Sequence, residues 1–159
     1  MTGGAIFDAT GAYRYRLWRA WDEGLPRVGF VLLNPSTADA ATDDRTIARC
    51  VGFAQSWGYG GIEIANLFAF RTPYHRTLRQ APDPVGPDND QELAAFAGRV
   101  SMVVAGWGVA GAFHERAREV LAAPWWPADA RCLGWTAGGE PRHPLYVPGA
   151  RQPLPFPLR

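Results

Sequence analysis

Two strand-like runs in the sequence each end on an asparagine. The run Gly29–Leu33 stops at Asn34 in a polar, proline-containing loop, and the run Gly61–Ala65 stops at Asn66. A carboxamide offers one acceptor oxygen and two donor hydrogens, which suits the edge of a pyrimidine. Open α/β sheets bind ligands at the carboxyl ends of their strands. The pattern predicts a pocket for a polar, planar ligand, unless each side chain bonds only to its own loop backbone.

A carboxylate and a histidine complete the candidate catalytic set of Asn34, Asp39 and His143. Asn34 can orient a water molecule but is a poor base. Asp39 either acts as a general base or holds the loop through an Asx turn or a helix cap. His143 lies in the loop that follows the last predicted strand, whereas His114 lies on a predicted helix and is expected to be exposed.

A long segment, residues 68–87, is rich in proline and arginine and is predicted to be a functional loop. Its aromatic side chains either stack on a base or belong to the core: Phe68, Phe70 and Tyr74. Its basic side chains either contact phosphates or are solvated: Arg71, His75, Arg76 and Arg79. Trp107, between two glycines at a strand end, is a pocket wall or a packing residue. The candidate substrate-binding residues are Ser36, Asn66, Phe68, Arg71 and Trp107.

The elements that must position these residues alternate between strands and helices. The predicted strands are Tyr13–Ala20, Val28–Leu33, Ile62–Ala65, Ser101–Ala105 and Arg131–Trp135. The predicted helices start at a cap on Thr42 or Asp43, at Asp88–Asp90 and at Val109, and end at Gly58, after Ala97 and at Ala122. This alternation predicts a three-layer α/β/α fold with a central, mainly parallel sheet.

The composition indicates one globular domain over residues 1–159, with a core at about 13–147 and a proline-rich surface tail over 148–159. The net charge of +1 is too small to indicate nucleic-acid binding, although a basic face can exist within a nearly neutral total. All 16 basic residues are arginine, so a lysine Schiff base is excluded. Two cysteines are too few for a four-cysteine metal site and fit a reducing cytoplasm. We expect no metal, no cofactor, no membrane segment and no signal peptide; the sequence leaves the oligomeric state open.

A set of short motifs, in this order, resembles a bacterial and phage family known as domain of unknown function 1643. The motifs run from Leu33 to Leu145 and are Leu33–Asp39, Asp43–Thr46, Trp57–Gly61, Asn66–Phe68, Asp83–Asp90, Trp107-Gly108 and His143–Leu145. The resemblance covers about residues 13–145, and the family name implies no activity.

The layout also resembles, more distantly, the uracil-DNA glycosylase superfamily. Leu32–Ser36 is similar to a Gly-x-Asn-Pro-Gly motif, with Ser36 in place of the last glycine, and this likeness implies that Asn34 positions the hydrolytic water. Asn66 stands where the superfamily pairs an asparagine with the uracil edge. The loop after the last strand resembles a His-Pro-Ser-Pro motif without its Ser-Pro, and the likeness implies that His143 faces the charge on the departing base.

The leading hypothesis is therefore a nucleobase-recognising protein that hydrolyses an N-glycosidic bond in DNA or a nucleotide. The alternatives are a non-catalytic module that binds a nucleotide or modified DNA, and an enzyme that acts on hypermodified phage bases.

Overall fold

One seven-stranded sheet organises the chain in the computed structural model, which describes residues 1–157. The strands, in chain order, are β1 Thr2–Phe7, β2 Arg14–Ala20, β3 Arg27–Leu32, β4 Gly61–Asn66, β5 Met102–Ala105, β6 Arg131–Cys132 and β7 Leu154–Pro155. The α-helices are α1 Arg45–Ser56, α2 His75–Gln80, α3 Asn89–Ala97 and α4 Arg116–Leu121. Two 3₁₀ helices span Val109–Glu115 and Pro144–Tyr146. None of the helices in this described part is long and apolar enough to cross a membrane.

The four central strands are parallel and the outer strands are antiparallel. The sheet order is β1-β2-β4-β3-β5-β6-β7; β4, β3, β5 and β6 run parallel, while β1, β2 and β7 pair antiparallel. The strand that follows β3 in the chain, β4, lies on one side of β3 in the sheet, and the next strand, β5, lies on the other side. The connections after β3 and β5 therefore diverge, which opens a crevice at the carboxyl ends of these two strands.

Side chains of β3 alternate between two hydrophobic layers. Val28, Phe30 and Leu32 pack with α1 in one cluster, and Val31 packs with α3 and α4 in the other. The first helix buries one apolar face, which includes Ile47, Cys50 and Ala54, and Gly58 follows its last turn, as predicted, with a φ of 83°. Helices thus cover both faces of the sheet, so the predicted α/β class is confirmed.

The two ends of the chain belong to the sheet, which the sequence did not predict. β1 pairs with β2, and β7 pairs with β6 in the tail that was expected to lie on the surface. Phe156 in that tail is 5% exposed and contacts Trp107 with ring centroids 5.6 Å apart. Most described residues of the tail are exposed or half-buried, and the sequence missed the antiparallel edge strand and the one buried aromatic residue that anchor this segment.

Three further predictions need correction. The helix expected over residues 109–122 is a 3₁₀ segment followed by α4, because His114 and Glu115 adopt positive φ angles of 55° and 57°. The long loop contains the short helix α2. The first helix is capped by Asp44, whose side chain accepts a hydrogen bond from the Ile47 amide, rather than by Thr42 or Asp43.

A buried carboxylate sits in the middle of β4. Glu63 is fully buried and accepts hydrogen bonds from three arginines, Arg16, Arg27 and Arg99, at 2.8–3.2 Å. Three cations around one carboxylate compensate for its loss of hydration. This cluster ties β2, β3 and the end of α3 to the strand that delivers Asn66.

Candidate functional site

The crevice between the ends of β3 and β5 opens into a cavity of about 340 Å³, which we call the outer cavity. Its size falls within the usual range for small-molecule sites, roughly 300–1,000 Å³. Its walls come from the segments that follow β3, β5 and β6 and from the segment before α2. The lining residues are Leu33, Asn34, Ser36, Thr46, Thr72, Pro73, His75, residues 107–110, Thr136 and residues 142, 143, 145 and 146.

A smaller polar cavity of about 40 Å³, the inner cavity, lies behind the outer one and shares part of its wall. The residues common to both are Asn34, Ser36, Thr46 and His143. The inner cavity adds the side chains of Arg14, Asp44 and Asn66. Asn34, Asn66 and His143, which come from three distant parts of the sequence, therefore line one cavity.

Asn34 is held by its amide nitrogen. Nδ2 donates to the carbonyl oxygens of Pro35, Phe70 and Thr72 at 3.1, 3.1 and 2.8 Å. These bonds tie the end of β3 to the segment before α2 and fix the orientation of the carboxamide. Oδ1 accepts no hydrogen bond from any described residue, so an acceptor oxygen is free at the wall of both cavities. The side chain therefore bonds to its own loop and also keeps an acceptor free for a ligand.

Asn66 ends β4 beside Leu32 and is 3% exposed. Its Oδ1 lies 3.5 Å from Nη2 of Arg14, and its Nδ2 has no hydrogen-bond partner in the part of the chain that the structure describes. A buried donor without an acceptor costs free energy, typically about 1–3 kcal/mol. Because Asn66 lines the inner cavity, a group bound there would relieve this cost.

The backbone around Asn66 is fixed by a second asparagine. Asn89, at the start of α3, donates from Nδ2 to the carbonyl oxygens of Asn66 and Leu67 at 2.9 and 3.0 Å. Arg116 also donates to the Leu67 carbonyl, at 2.8 Å, and pairs with Asp90 at 2.6 Å. The Asp88–Asp90 stretch, expected only to open a helix, therefore also positions the candidate site.

His143 is neutral near pH 7. Burial lowers the pKa of His143 to about 4. The charge of Asp44 acts to raise this pKa, and His75 acts to lower it further. Nδ1 accepts a hydrogen bond from the Leu145 amide at 3.2 Å. A neutral imidazole that accepts through Nδ1 carries its proton on Nε2. The ring therefore brings a neutral N–H donor to the cavity wall.

Trp107 is both a packing residue and part of the cavity wall. It is 1% exposed, packs against Trp126 with ring centroids 5.8 Å apart, and donates from Nε1 to Glu140 at 2.7 Å. The orientation of this ring is set by the core and by the Glu140 carboxylate. Ser36, the other predicted substrate-binding residue at this edge, lines both cavities.

Three predicted site residues lie outside both cavities. Asp39 accepts hydrogen bonds from the amides of Ala41 and Thr42, which lower the pKa of Asp39 and make it a loop-holding residue. Phe68 is fully buried in the core. Arg71 stacks 4.6 Å from the ring of Phe7 in β1 and donates to the Gly11 carbonyl. These three side chains contact other parts of the fold and line neither cavity.

The cavities also contain residues that sequence reasoning did not assign to them. Thr72 lies just before α2 and His75 is the first residue of α2, while Tyr146, which is 75% exposed, stands at the rim beside His143. Arg14 in β2 reaches the inner cavity from the antiparallel half of the sheet. The length of the Pro- and Arg-rich loop indicated a function for Thr72 and His75 without showing which way their side chains point, and the loop gave no signal for Arg14 or Tyr146.

The described residues contain no group of three or more His, Cys, Asp or Glu side chains that could hold a metal ion. Cys50 and Cys132 are both free and buried, and burial raises the pKa of both thiols.

The fold and the cavities define an α/β protein with a ligand-sized site at the switch point of its parallel strands. A family model described as "Protein of unknown function (DUF1643)" matches residues 14–145, so the chain belongs to this family. No curated protein and no solved structure gives a significant match to the chain.

Proposed function

We propose that the two cavities together bind a nucleobase, carried by DNA or by a nucleotide, and that the protein hydrolyses its N-glycosidic bond. One observation carries this proposal. Asn34, Asn66 and His143 line one cavity, and each is oriented so that one atom remains for a ligand: Oδ1 of Asn34, Nδ2 of Asn66 and Nε2 of His143. The resemblance to the uracil-DNA glycosylase superfamily, including its fold, supports the same assignment.

Each of the three side chains has a distinct role in the proposed reaction. Oδ1 of Asn34 accepts a hydrogen bond from a water molecule and directs its oxygen to C1′ of the sugar. The water oxygen forms a new bond to C1′ as the C1′–N bond breaks, and the base leaves with the bonding electron pair. The neutral Nε2–H of His143 donates to an oxygen of the base as negative charge develops there. Asn66 donates to the edge of the base, and the water proton is lost to solvent.

A non-catalytic nucleotide-binding module is the second candidate, and a specific observation favours it. Asp44 supplies the one carboxylate that lines either cavity within residues 1–157, and its two oxygens already accept from the amides of Ile47 and Ala38. Without a free base, the hydrolytic step relies on an oriented water and on leaving-group stabilisation. Such a site is slow, or it requires a base that leaves readily.

The test is a panel of oligonucleotides that contain uracil, hydroxymethyluracil, deaminated purines or mismatches, with alkaline cleavage at abasic sites as the readout. We expect Asn34→Ala and Asn66→Ala each to lower the single-turnover rate by about 10²- to 10³-fold. Gln55→Ala removes an exposed carboxamide from α1, outside both cavities, and serves as the matched control. Saturable binding without product supports the module. Variants as active as the control would contradict the site.

The proposed setting is the cytoplasm, because two free, buried thiols suit a reducing compartment. The partner is DNA or a nucleotide. Tests with a free nucleotide and with an oligonucleotide of the same base separate these two partners, and salt-dependent affinity for the oligonucleotide alone would favour DNA.

A further inference from the structure

Arg14 is a buried cation without a carboxylate partner. Three arginines in the described chain are 2–4% exposed: Arg14, Arg19 and Arg116. Arg19 contacts Asp43 at 2.8 Å and Arg116 contacts Asp90 at 2.6 Å, whereas Arg14 is in no ion pair among residues 1–157. Burial lowers the pKa of Arg14 to about 10, so the guanidinium stays charged at neutral pH. A buried charge normally has a carboxylate in direct contact, whereas Asp44 attracts Arg14 without forming an ion pair with it.

The hydrogen bonds of Arg14 are also incomplete. Nη1 donates to the Ala38 carbonyl at 3.2 Å, Nη2 lies 3.5 Å from Oδ1 of Asn66, and Nε has no partner among the described atoms. Asn66 contributes a second buried donor, Nδ2, that is equally unpaired. Both residues line the inner cavity. The spare hydrogen-bonding capacity of these two buried side chains therefore consists of donors.

We propose that Arg14 and Asn66 form a subsite for an acceptor oxygen of the ligand, a carbonyl or a carboxylate, and that Arg14 determines which ligands are accepted. The inner cavity is large enough for such a group and opens next to the outer cavity, where the rest of the ligand lies. The negative charge of Asp44 balances the positive charge of Arg14 without direct contact. A neutral carbonyl bound at the subsite leaves this balance unchanged, and a bound carboxylate is attracted by the guanidinium.

For the identity of the ligand, the inference rests on the proposed function, and it narrows the substrate class. A base that presents a ring carbonyl satisfies the two donors, and a base that presents an amino group there leaves them unpaired. Uracil and other oxo bases are therefore accepted, and cytosine and adenine are rejected. One unpaired buried donor corresponds to a difference in affinity of about ten- to hundredfold.

The test is calorimetric titration of the full-length protein with uracil, cytosine and sodium formate, for the wild type and for Arg14→Met and Arg14→Gln. We expect uracil to bind about ten- to hundredfold more tightly than cytosine, and this ratio to fall in both variants, further in Arg14→Met, which has no donor, than in Arg14→Gln. Arg14→Met is also expected to keep or raise the melting temperature, because it removes an unpaired buried cation of similar length. Arg116→Met, which removes a buried arginine that bonds to the Leu67 carbonyl and pairs with the exposed carboxylate of Asp90, is the matched control and lowers the melting temperature.

The outcomes separate the subsite from the proposed function. Formate binding that depends on Arg14, without binding of either base, supports the subsite and contradicts the nucleobase assignment. Equal affinities for uracil and cytosine, or a ratio unchanged by the Arg14 variants, overturn the subsite but leave the proposed nucleobase-binding site intact. If neither uracil nor formate binds, the inner cavity holds only water, and the proposal is wrong. If Arg14→Met does not fold, Arg14→Gln is used in its place, because its carboxamide keeps a donor for the surrounding carbonyl groups.

Discussion

The partial burial of His143 has a consequence for stability that needs no ligand to test. The pKa of His143 is about 4 in the folded protein, against 6.5 for an unperturbed histidine. Between these values the unfolded chain binds a proton that the folded chain does not, so stability falls as the pH decreases from about 6.5 to about 4. Above about pH 7 the ring is neutral in both states and contributes nothing to this dependence.

The size of the effect follows from the difference between the two pKa values. Each unit of difference in pKa corresponds to about 1.4 kcal/mol. As the pH falls from about 7 to about 4, the free energy of unfolding therefore decreases by about 3 kcal/mol more than in a protein without this histidine. The comparison variant is His143→Asn, because the Asn carboxamide can also accept the hydrogen bond of the Leu145 amide. Subtracting the free energy of unfolding of the variant from that of the wild type cancels the titration of all unaffected groups.

The assay is urea unfolding of the wild type and the variant at several values between about pH 7 and about pH 4.5. We expect the wild type to lose about 2–3 kcal/mol relative to His143→Asn over this range. His114→Asn is the control, because His114 is exposed and asparagine tolerates its positive φ of 55°. If the wild type and His143→Asn depend on pH in parallel, His143 is not held neutral by burial and cannot be the neutral donor of the proposed reaction.

Four other predictions concern the elements that support the cavities. Glu63→Gln leaves three arginines around a neutral amide and should cost about 3 kcal/mol in urea unfolding; an unchanged midpoint would contradict the role of this cluster. Asn89→Ala removes a donor from the carbonyls of Asn66 and Leu67, of which the Leu67 carbonyl keeps its bond from Arg116, so we expect a loss of about 1–3 kcal/mol and a lower activity through Asn66; wild-type activity and stability would contradict this positioning role. In Gly111→Ala the new Cβ would lie 2.0 Å from the Trp107 ring, so we expect the free energy of unfolding to fall by about 1–3 kcal/mol and the tryptophan emission to change. An unaltered emission spectrum would contradict a rigidly held Trp107 in the cavity wall. Cys50 should react with a thiol reagent only in the unfolded protein, and rapid reaction of the folded protein would refute its burial.

The central half of the sheet was predictable because its signals are local. Continuous apolar runs marked β3, β4 and β5, and a helical spacing of apolar residues marked α1. Parallel strands joined by helices present their carboxyl ends at one edge, so Asn34 and Asn66 were expected to come together there. This part of the site follows from patterns within a few residues of each asparagine.

The edges of the sheet were not predictable because they depend on long-range pairing. β1 contains two glycines and lacks an alternating pattern, and it forms by pairing with β2. Without β1, nothing in the sequence indicated that Arg71 stacks on Phe7 and is thereby directed away from the cavity. The same reason explains Arg14, which reads as part of a half-exposed strand and becomes buried once the loop of Ala38 lies over it.

Selective ¹⁵N labelling of asparagine offers the most direct test of nucleobase recognition at Asn66. The chain contains three asparagines, Asn34, Asn66 and Asn89, so the side-chain amide region of an NMR spectrum holds three NH₂ groups. On titration with uracil we expect the Asn66 signals to shift most, because its unpaired Nδ2 gains an acceptor, while Asn89, bonded to two carbonyls, stays in place. The Asn66→Ala variant assigns the signal. Unshifted Asn66 signals at saturating uracil would contradict a nucleobase bound in these cavities.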